Sequence, residues 1–418
     1  MSASDRDHDI VLYGATGFVG KLTALYLASA AGDARIALAG RSADRLLAVR
    51  ETLPASAQSW PLITADASDP SSLAAMAAST RVVISTVGPY LRYGLPLVAA
   101  CAAAGTDYTD LTGEPLFIRR AIDEYHKQAV DTGARIVHSC GFDSIPSDLT
   151  VFALYRQAEK DGAGQLGDTN YLVRRFAGGM SGGTIASMAE LAREAAEDPE
   201  SRRLLNDPYT LSPDRGAEPE LGGQPDARWR RGRDIAPELD GYWVGAFAMA
   251  VPNSRIVRRS NALLEYAYGR RFEYAEQMSL GKSVLAPLAA AMATGGNIAV
   301  VELGSRFLNR VPRSALERVL PKPGTGPSEQ TRENGHYTVE TYTTTSSGAR
   351  YVARMSQQGD PGYKATSVLL SESALALATD RDKLSDLRGV LTPASAMGDA
   401  LLDRFPAAGV SLDVTKLA

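Results

Sequence analysis

The chain has 418 residues, a formal net charge of −4 and a hydrophobic fraction of 44%, which excludes a disordered protein and is enough for two or three folded domains. The acidic balance argues against a protein dedicated to nucleic-acid binding, because phosphate contacts require an excess of Lys and Arg. Two cysteines, Cys101 and Cys140, and four scattered histidines are too few for a disulfide framework or a metal centre. Since the first ten residues lack the charged and apolar parts of a secretory signal, we expect a cytoplasmic protein.

Residues 9–148 are predicted to form an α/β domain with a doubly wound parallel sheet. Short β-rich runs alternate there with amphipathic helical stretches, which is typical of parallel strands covered on both faces by helices. The predicted strands are 9–13, 35–40, 60–66, 81–86, 106–111 and 134–140. Six such strands match a Rossmann fold, which binds ligands at the carboxyl ends of its strands.

A second domain of the α+β class is predicted for residues 149–385, because strands and helices no longer alternate regularly there. Strands are expected at 168–176 and 336–356, and a long surface excursion at 198–240. The C-terminal segment, residues 386–418, is predicted to contain a helix after the Thr-Pro pair at 392–393 and a final strand.

The segment 283–301 carries no charge over 19 residues, which is about the length that spans a bilayer. It contains Pro287 and two glycines and has no aromatic belt, so a buried helix or apolar wall is favoured over a membrane span. Peripheral contact with a membrane, or with the acyl chain of a lipid substrate, is the alternative.

The motif GATGFVG at 14–20 directly follows the first predicted strand and opens the first helix. Its glycine spacing differs from the usual Gly-x-Gly-x-x-Gly, but it meets the same demand for a tight turn and close approach of a pyrophosphate to a helix N-terminus. The predicted cofactor-binding residues of this loop are Gly14, Thr16, Gly17, Phe18, Val19 and Gly20. A turn kept only for packing is the alternative.

The end of the second predicted strand distinguishes NADP(H) from NAD(H). An acidic residue for the ribose hydroxyls of NAD is absent, and Arg41 with Ser42 stands there instead. A guanidinium can pair with a 2′-phosphate, so we predict NADPH; a surface arginine that caps a helix is the alternative. Asp66, after the third strand, is predicted to contact adenine or to cap the next helix.

Two later loops supply the remaining candidates. Val87, Gly88 and Pro89 follow the fourth strand and are predicted to border the cofactor. The candidate catalytic residues are Tyr93 in the same loop and Asp143 and Ser144 after the sixth strand. The alternative for Tyr93 is a role in packing, and the alternative for Asp143 and Ser144 is helix capping. His138 is expected to be a buried structural residue and His126 an exposed helical one.

Taken together, eight motifs in chain order resemble the saccharopine dehydrogenase-like oxidoreductases. They are GATGFVG, AGRS, VGPYLRYGLPLVAACAAAGTDYTDLTGE, GFDSIPSDL, SGGT, KPGTGPS, DPGY and GVLTPASAMGD. Within that family the chain is most similar to the mycobacterial trans-acting enoyl reductases.

The resemblance implies a second domain with a mixed sheet and a C-terminal segment that returns to the Rossmann domain. It also implies NADPH-dependent reduction of a carbon–carbon double bond in an acyl thioester. The thioester would be held on a polyketide synthase carrier domain, in phthiocerol and phenolphthiocerol dimycocerosate lipid synthesis.

Other functions stay open at this point. No tyrosine is followed by lysine at the spacings Tyr-x3-Lys or Tyr-x6-Lys, which argues against short-chain dehydrogenase chemistry. Arginine clusters at 228–233 and 258–271 could bind a polycarboxylate, as an amino-acid-type dehydrogenase requires, or form a solvated loop or dock an acidic carrier domain. A non-catalytic, lipid-associated NADP-binding protein is a further alternative. The sequence does not indicate the oligomeric state.

Overall fold

The computed structural model of the chain describes residues 6–178, 182–283, 285–286, 288 and 326–418. The apolar segment at 283–301 therefore lies outside the described residues, apart from Ser283, Leu285, Ala286 and Leu288. Of these, Leu285 is 71% and Leu288 61% exposed, whereas Ala286 is buried. The core, substrate and membrane roles considered for this segment stay predictions.

Seven parallel strands form the first sheet. They are β1 (His8–Tyr13), β2 (Ile36–Gly40), β3 (Leu62–Thr64), β4 (Thr80–Ser85), β5 (Asp107–Asp110), β6 (Arg135–Val137) and β13 (Gly389–Leu391). Their order is β13-β6-β5-β4-β1-β2-β3, the doubly wound order in which the connections reverse direction between β1 and β4. The six predicted strands are present, which confirms the Rossmann fold.

Helices cover both faces of this sheet. They are α1 (Phe18–Ala30), α2 (Ala43–Arg50), α3 (Pro70–Ala78), α4 (Tyr90–Tyr93), α5 (Leu95–Ala104), α6 (Pro115–Thr132) and α12 (Thr366–Thr379). Alternate residues of β1 point to opposite faces: Ile10 and Leu12 pack in the cluster with α1, α2 and α12, and Val11 in the cluster with α3, α5 and α6. Because α12 is apolar on nearly every side, it is buried along its length.

The second sheet is mixed, as the resemblance implies. Its strands are β7 (Leu166–Ala177), β8 (Arg230–Arg231), β9 (Trp243–Ala246), β10 (Glu273–Ser279), β11 (His336–Thr345), β12 (Arg350–Gln358) and β14 (Val410–Leu417). Across the sheet they run β14-β12-β11-β7-β10-β9-β8. β7 and β10 are parallel, and the other neighbouring pairs are antiparallel.

Further helices accompany the second sheet. They are α7 (Ile145–Lys160), α8 (Gly182–Glu197), α9 (Pro199–Asn206), α10 (Ala250–Leu263) and α11 (Glu329–Asn334). α7 packs against β11, β12, β7 and β14, and α10 packs against α7 and β10. Since α7 starts just after β6, the loop between them lies where the two sheets meet: Phe142 there contacts Tyr337 of β11, with ring centroids 4.6 Å apart.

The C-terminal segment joins both sheets. β13 pairs with β6 and so returns to the Rossmann domain, as expected, and Thr392 caps the short helix α13 (Pro393–Ala396) that follows. After α14 (Gly398–Arg404), however, β14 pairs with β12 at the edge of the second sheet. The range 386–418 therefore does not pack on the first domain alone. Similarly, α12 falls within 149–385 but packs against α1 and β4 of the first domain.

Candidate cofactor and active site

The glycine-rich loop is held tightly against the end of β4. Gly14 has a φ of +90°, and a Cβ there would lie 2.5 Å from Thr86 Oγ1, so a larger residue does not fit. At Gly20 a Cβ would lie 2.2 Å from the Gly14 carbonyl oxygen, which makes this glycine necessary for the packing of α1 on β1. Gly17 is the N-cap of α1 and has no side chain with which to cap that helix. The free backbone N–H groups at this end therefore fit a dinucleotide pyrophosphate.

The other residues predicted in this loop remain partly accessible. Thr16, Phe18 and Val19 are half-buried. Phe18 contacts Tyr363, which lies far along the chain, with ring centroids 4.9 Å apart and an edge-to-face geometry. A residue from outside the first domain therefore contacts the end of the glycine-rich loop.

Arg41 is exposed at the carboxyl end of β2 and, within the described residues, forms no ion pair. A free guanidinium at this position fits a 2′-phosphate. Ser42 is the N-cap of α2, where its Oγ accepts the Arg45 N–H at 3.4 Å. The helix after β2 is thus capped by Ser42 and not by Arg41, and the Arg41 guanidinium forms no hydrogen bond within the described residues.

Asp66 does not cap the helix after β3. Its Oδ1 accepts the N–H of Ser68 at 2.8 Å and the hydroxyl of Ser68 at 2.7 Å, whereas the N-cap of α3 is Asp69. These bonds from Ser68 lower the pKa of Asp66, and the charge of Arg41 lowers it further. Asp66 therefore orders the loop beside Arg41, and its contact with adenine stays a prediction.

The loop after β4 borders the glycine-rich loop. A Cβ on Gly14 would lie 2.8 Å from Val87 Cγ2, which shows how closely these backbones approach. Gly88 is exposed and Pro89 half-buried, and the peptide bond between them is cis. Tyr93, at the end of α4, is 37% exposed with the Arg92 guanidinium 5.1 Å from its ring centroid.

Asp143 is the titratable residue of the loop after β6. It is half-buried, and its carboxyl group has no hydrogen-bond partner within the described part of the chain. Burial raises the pKa of Asp143 to about 6, because the charged form is disfavoured away from water. A carboxyl group of this kind can hold a proton near neutral pH and donate it.

Ser144 is engaged in a buried network instead. Its hydroxyl donates to Asn253 Oδ1 at 2.9 Å, and the Asn253 amide donates to Glu276 Oε2 at 2.9 Å. Burial raises the pKa of Glu276 to about 8. Ser144 precedes α7 but makes no side-chain cap bond. Within the described residues, no contact joins Tyr93 to Asp143 or Ser144, so the structure does not assemble the three as one cluster.

The chain is similar to known proteins both in its first domain and over its full length. Residues 10–137 match the saccharopine dehydrogenase NADP-binding domain. Over 418 residues, 100% of both sequences, the chain is 69% identical to a Mycobacterium tuberculosis protein assigned as a trans-acting enoyl reductase. The trans-acting enoyl reductases of Mycobacterium bovis and Mycobacterium ulcerans are 62% and 60% identical over 100% of both chains. The chain belongs to the trans-acting enoyl reductase family.

A solved structure shows the fold of this family member over nearly its full length. Apo saccharopine dehydrogenase (L-Glu forming) from Saccharomyces cerevisiae matches with a TM-score of 0.54 and 13% identity, covering 98% of this chain and 100% of that one. The shared fold confirms the resemblance to saccharopine dehydrogenases. The protein is an oxidoreductase whose first domain is of the NADP-binding type.

Two arginines of the second cluster, Arg258 and Arg259, are buried and have structural partners in this enoyl reductase family member. Arg259 is 1% exposed, and its guanidinium donates to the carbonyl oxygens of Leu211 and Val390. Arg258 pairs with Asp226 at 3.0 Å. These two side chains hold the 198–240 excursion against α10 and are not accessible to a ligand. Arg231, Arg233, Arg270 and Arg271 of the same clusters are exposed, so polycarboxylate binding and docking of a carrier domain stay predictions for them.

Two of the four histidines, His138 and His126, have structural roles. His138 is buried, with its Nδ1 2.7 Å from Asp110 Oδ2, as expected. The expectation for His126 was wrong: it is half-buried, and its Nδ1 accepts the Val390 N–H of β13 at 3.1 Å. Burial raises the pKa of the Cys140 thiol, so this thiol is not activated.

Sequence reasoning missed Glu114, which organises the loop after β4. This buried residue follows β5, and its carboxylate accepts the N–H groups of Tyr90 and Leu91 and the hydroxyl of Ser187. Glu114 precedes Pro115, the first residue of α6, so local sequence suggests a helix start there. Its bonds to α4 depend on tertiary packing.

Within the described residues, no group of three or more His, Cys, Asp or Glu side chains could hold a metal ion. None of the helices in the same part of the chain has the length and apolar character that crossing a bilayer requires.

Proposed function

We propose that the protein is an NADPH-dependent enoyl reductase that acts on an α,β-unsaturated acyl thioester held by the carrier domain of a separate polyketide synthase. The observation that carries the proposal is the 60–69% identity, over the full chain, to trans-acting enoyl reductases. Because the sequence resembles those mycobacterial proteins throughout, the proposal assigns the substrate to phthiocerol and phenolphthiocerol dimycocerosate lipid synthesis.

The residues at the carboxyl edge of the first sheet support this chemistry. When bound, NADPH supplies the hydride that the β-carbon of the double bond accepts. In this proposal the glycine-rich loop binds the pyrophosphate, and Arg41 binds the 2′-phosphate. Asp143 follows β6, and the glycine-rich loop follows β1. In the sheet, β6 and β1 are separated by three strand spacings, roughly 14 Å.

Asp143 is assigned as the proton donor to the α-carbon. After hydride transfer the substrate carries negative charge on its α-carbon and thioester oxygen, and protonation there completes the reduction. A carboxyl group with a pKa raised to about 6 by burial retains a protonated fraction near neutral pH. Phe142, which precedes it, packs on Tyr337 and Phe176 of the second sheet and so holds this loop between the two sheets.

The apolar substrate needs an apolar contact as well. Leu285 and Leu288 expose most of their side chains at the start of the 283–301 segment. In this proposal they contact the acyl chain or a lipid surface beside the carrier domain, since exposed leucines gain free energy from such burial.

The test is the loss of NADPH absorbance with a carrier-bound enoyl thioester, and the matched saturated thioester is the control. Oxidation of NADPH with the enoyl form alone supports the proposal. If NADPH binds and neither thioester is turned over, even with the synthase partner added, the non-catalytic alternative is correct. Faster turnover of a small polycarboxylate imine would instead indicate an amino-acid-type dehydrogenase.

A further inference from the structure

The ring of Phe18, the first residue of α1, is contacted by three residues from outside the NADP-binding domain. Tyr363 meets it edge-on with centroids 4.9 Å apart, and the Arg332 guanidinium lies 5.3 Å from its centroid. Gly326 packs so closely that a Cβ there would lie 2.3 Å from the ring. The segment 326–335 therefore lies directly over the beginning of α1.

Arg332 is held in place by its own helix and a neighbouring turn. Ser328 caps α11 by accepting the N–H of Thr331 at 3.2 Å, and Arg332 Nη1 donates to the Pro327 carbonyl oxygen at 2.7 Å. The Asp360 N–H donates to the Arg332 carbonyl oxygen at 2.9 Å. These bonds fix the backbone of Arg332 and one guanidinium nitrogen, and the other guanidinium donors form no hydrogen bond within the described residues.

In the part of the chain that the structure describes, Arg332 has no salt-bridge partner. Within the described residues no carboxylate lies within 4 Å of its guanidinium nitrogens, and the adjacent Glu333 pairs with Lys364. Asp360 is the neighbouring acid, and burial raises its pKa while the charge of Arg332 opposes that rise. An unpaired cation thus lies beside a helix N-terminus whose N–H groups have no side-chain cap.

We propose that Arg332 is a cofactor-binding residue that reaches from the second domain to the pyrophosphate bound at the N-terminus of α1. The glycine-rich loop offers backbone N–H groups to this diphosphate, and Arg332 adds the positive charge. Phe18 is the platform that orients the guanidinium, and Tyr363 and Gly326 hold that ring. The inference rests on the dinucleotide site of the proposed function and is independent of the acyl substrate.

The test is the dissociation constant of NADPH, measured by fluorescence titration, for the native protein and for Arg332→Gln. Glutamine keeps a polar side chain that can donate hydrogen bonds but removes the charge. Loss of one charge-assisted contact to phosphate is expected to raise the dissociation constant about tenfold. The same titration with 2′-AMP, which has no pyrophosphate, should give an unchanged dissociation constant.

A matched control and a second variant complete the experiment. Arg354→Gln removes an equal charge from β12, where Arg354 pairs with Glu340, and should leave both affinities unchanged. Arg332→Ala should reproduce the loss seen with glutamine, with thermal unfolding to confirm that both variants fold. Unchanged NADPH affinity, or an equal loss for NADPH and 2′-AMP, would overturn the inference. Failure of the proposed reductase function would look different, since NADPH affinity would still depend on Arg332 while no enoyl thioester was reduced.

Discussion

The carboxylate of Glu114 accepts a hydrogen bond from the backbone N–H of Leu91 at 2.6 Å, and a second from the N–H of Tyr90 at 3.0 Å. The first turn of α4 is thereby capped by a residue from the loop after the neighbouring strand. Ser187 of α8 donates to the same carboxylate at 2.5 Å. One buried side chain thus joins the loop at 87–93 to a helix outside the NADP-binding domain.

Replacing Glu114 by glutamine should destabilise the protein. The amide nitrogen of glutamine cannot accept, so at least one N–H of α4 loses its partner inside the protein, and the free energy of unfolding should fall by about 1–3 kcal/mol. Urea unfolding measures this change. Ser187→Ala, which leaves both backbone bonds intact, should cost less. Equal stability of Glu114→Gln and the native protein would show that the carboxylate does not hold this turn.

Arg41→Ala should separate the two nicotinamide cofactors. Because the guanidinium is exposed and pairs with no described carboxylate, its removal should weaken NADPH binding by about 10- to 100-fold through lost charge-assisted bonds. Binding of NADH, which has no 2′-phosphate, should not change. Arg35→Ala is the control, since Arg35 lies at the opposite end of β2 and pairs with Asp9. Equal losses for NADPH and NADH would contradict the assignment.

The rate of enoyl reduction should depend on the protonation of Asp143. With a pKa of about 6, the carboxyl group is protonated below that pH, so the single-turnover rate should fall about tenfold per pH unit above it when proton transfer limits the rate. Asp143→Asn should lower the rate and remove this dependence. Ser144→Ala should alter the rate less, because the Ser144 hydroxyl is bonded to Asn253. An unchanged pH profile in Asp143→Asn would exclude Asp143 as the donor.

A buried carboxyl group should make stability depend on pH. Asp148 accepts the Ser260 hydroxyl and the Ala394 N–H, and burial raises its pKa to about 7. The folded state then binds this proton more tightly than the unfolded chain, where an Asp has a pKa of about 4. The free energy of unfolding should therefore fall as pH rises from about 4 to 7, by at most about 1.4 kcal/mol per unit for this group.

Asp148→Asn tests this dependence, because asparagine does not titrate and can donate to the Ser260 hydroxyl while accepting the Ala394 N–H. Urea unfolding at several pH values should show a weaker fall in stability for the variant than for the native protein. Parallel curves would mean that Asp148 does not titrate in this range.

Much of the first domain could be predicted because its signals are local in the sequence. Apolar strands alternating with helices identified the six strands, and the spacing of Gly14, Gly17 and Gly20 identified the loop before α1. The sequence also held a signal for the cap of α3 that was not used: Asp69 precedes Pro70, which is typical of an N-cap and first helical residue. The six strands and the glycine-rich loop lie where these local patterns predict them.

Residues with distant partners could not be assigned in the same way. His126 was expected to be exposed because its partner, the N–H of Val390, lies 264 residues away. Arg259 was considered as a possible ligand-binding cation, but its guanidinium is buried and donates to carbonyl groups of two distant segments. Hydrogen bonds of this kind leave no pattern in the surrounding sequence.

By itself, the sequence determined the Rossmann domain, its glycine-rich loop and the resemblance to enoyl reductases, since each depends on short-range spacing of glycines, apolar residues and motif residues. Only the tertiary structure decided which groups meet at that loop. Phe18 contacts Arg332 and Tyr363 because the strands of the second sheet bring their connecting segments over α1. The physical reason is that such contacts depend on how two sheets pack, which no local pattern encodes.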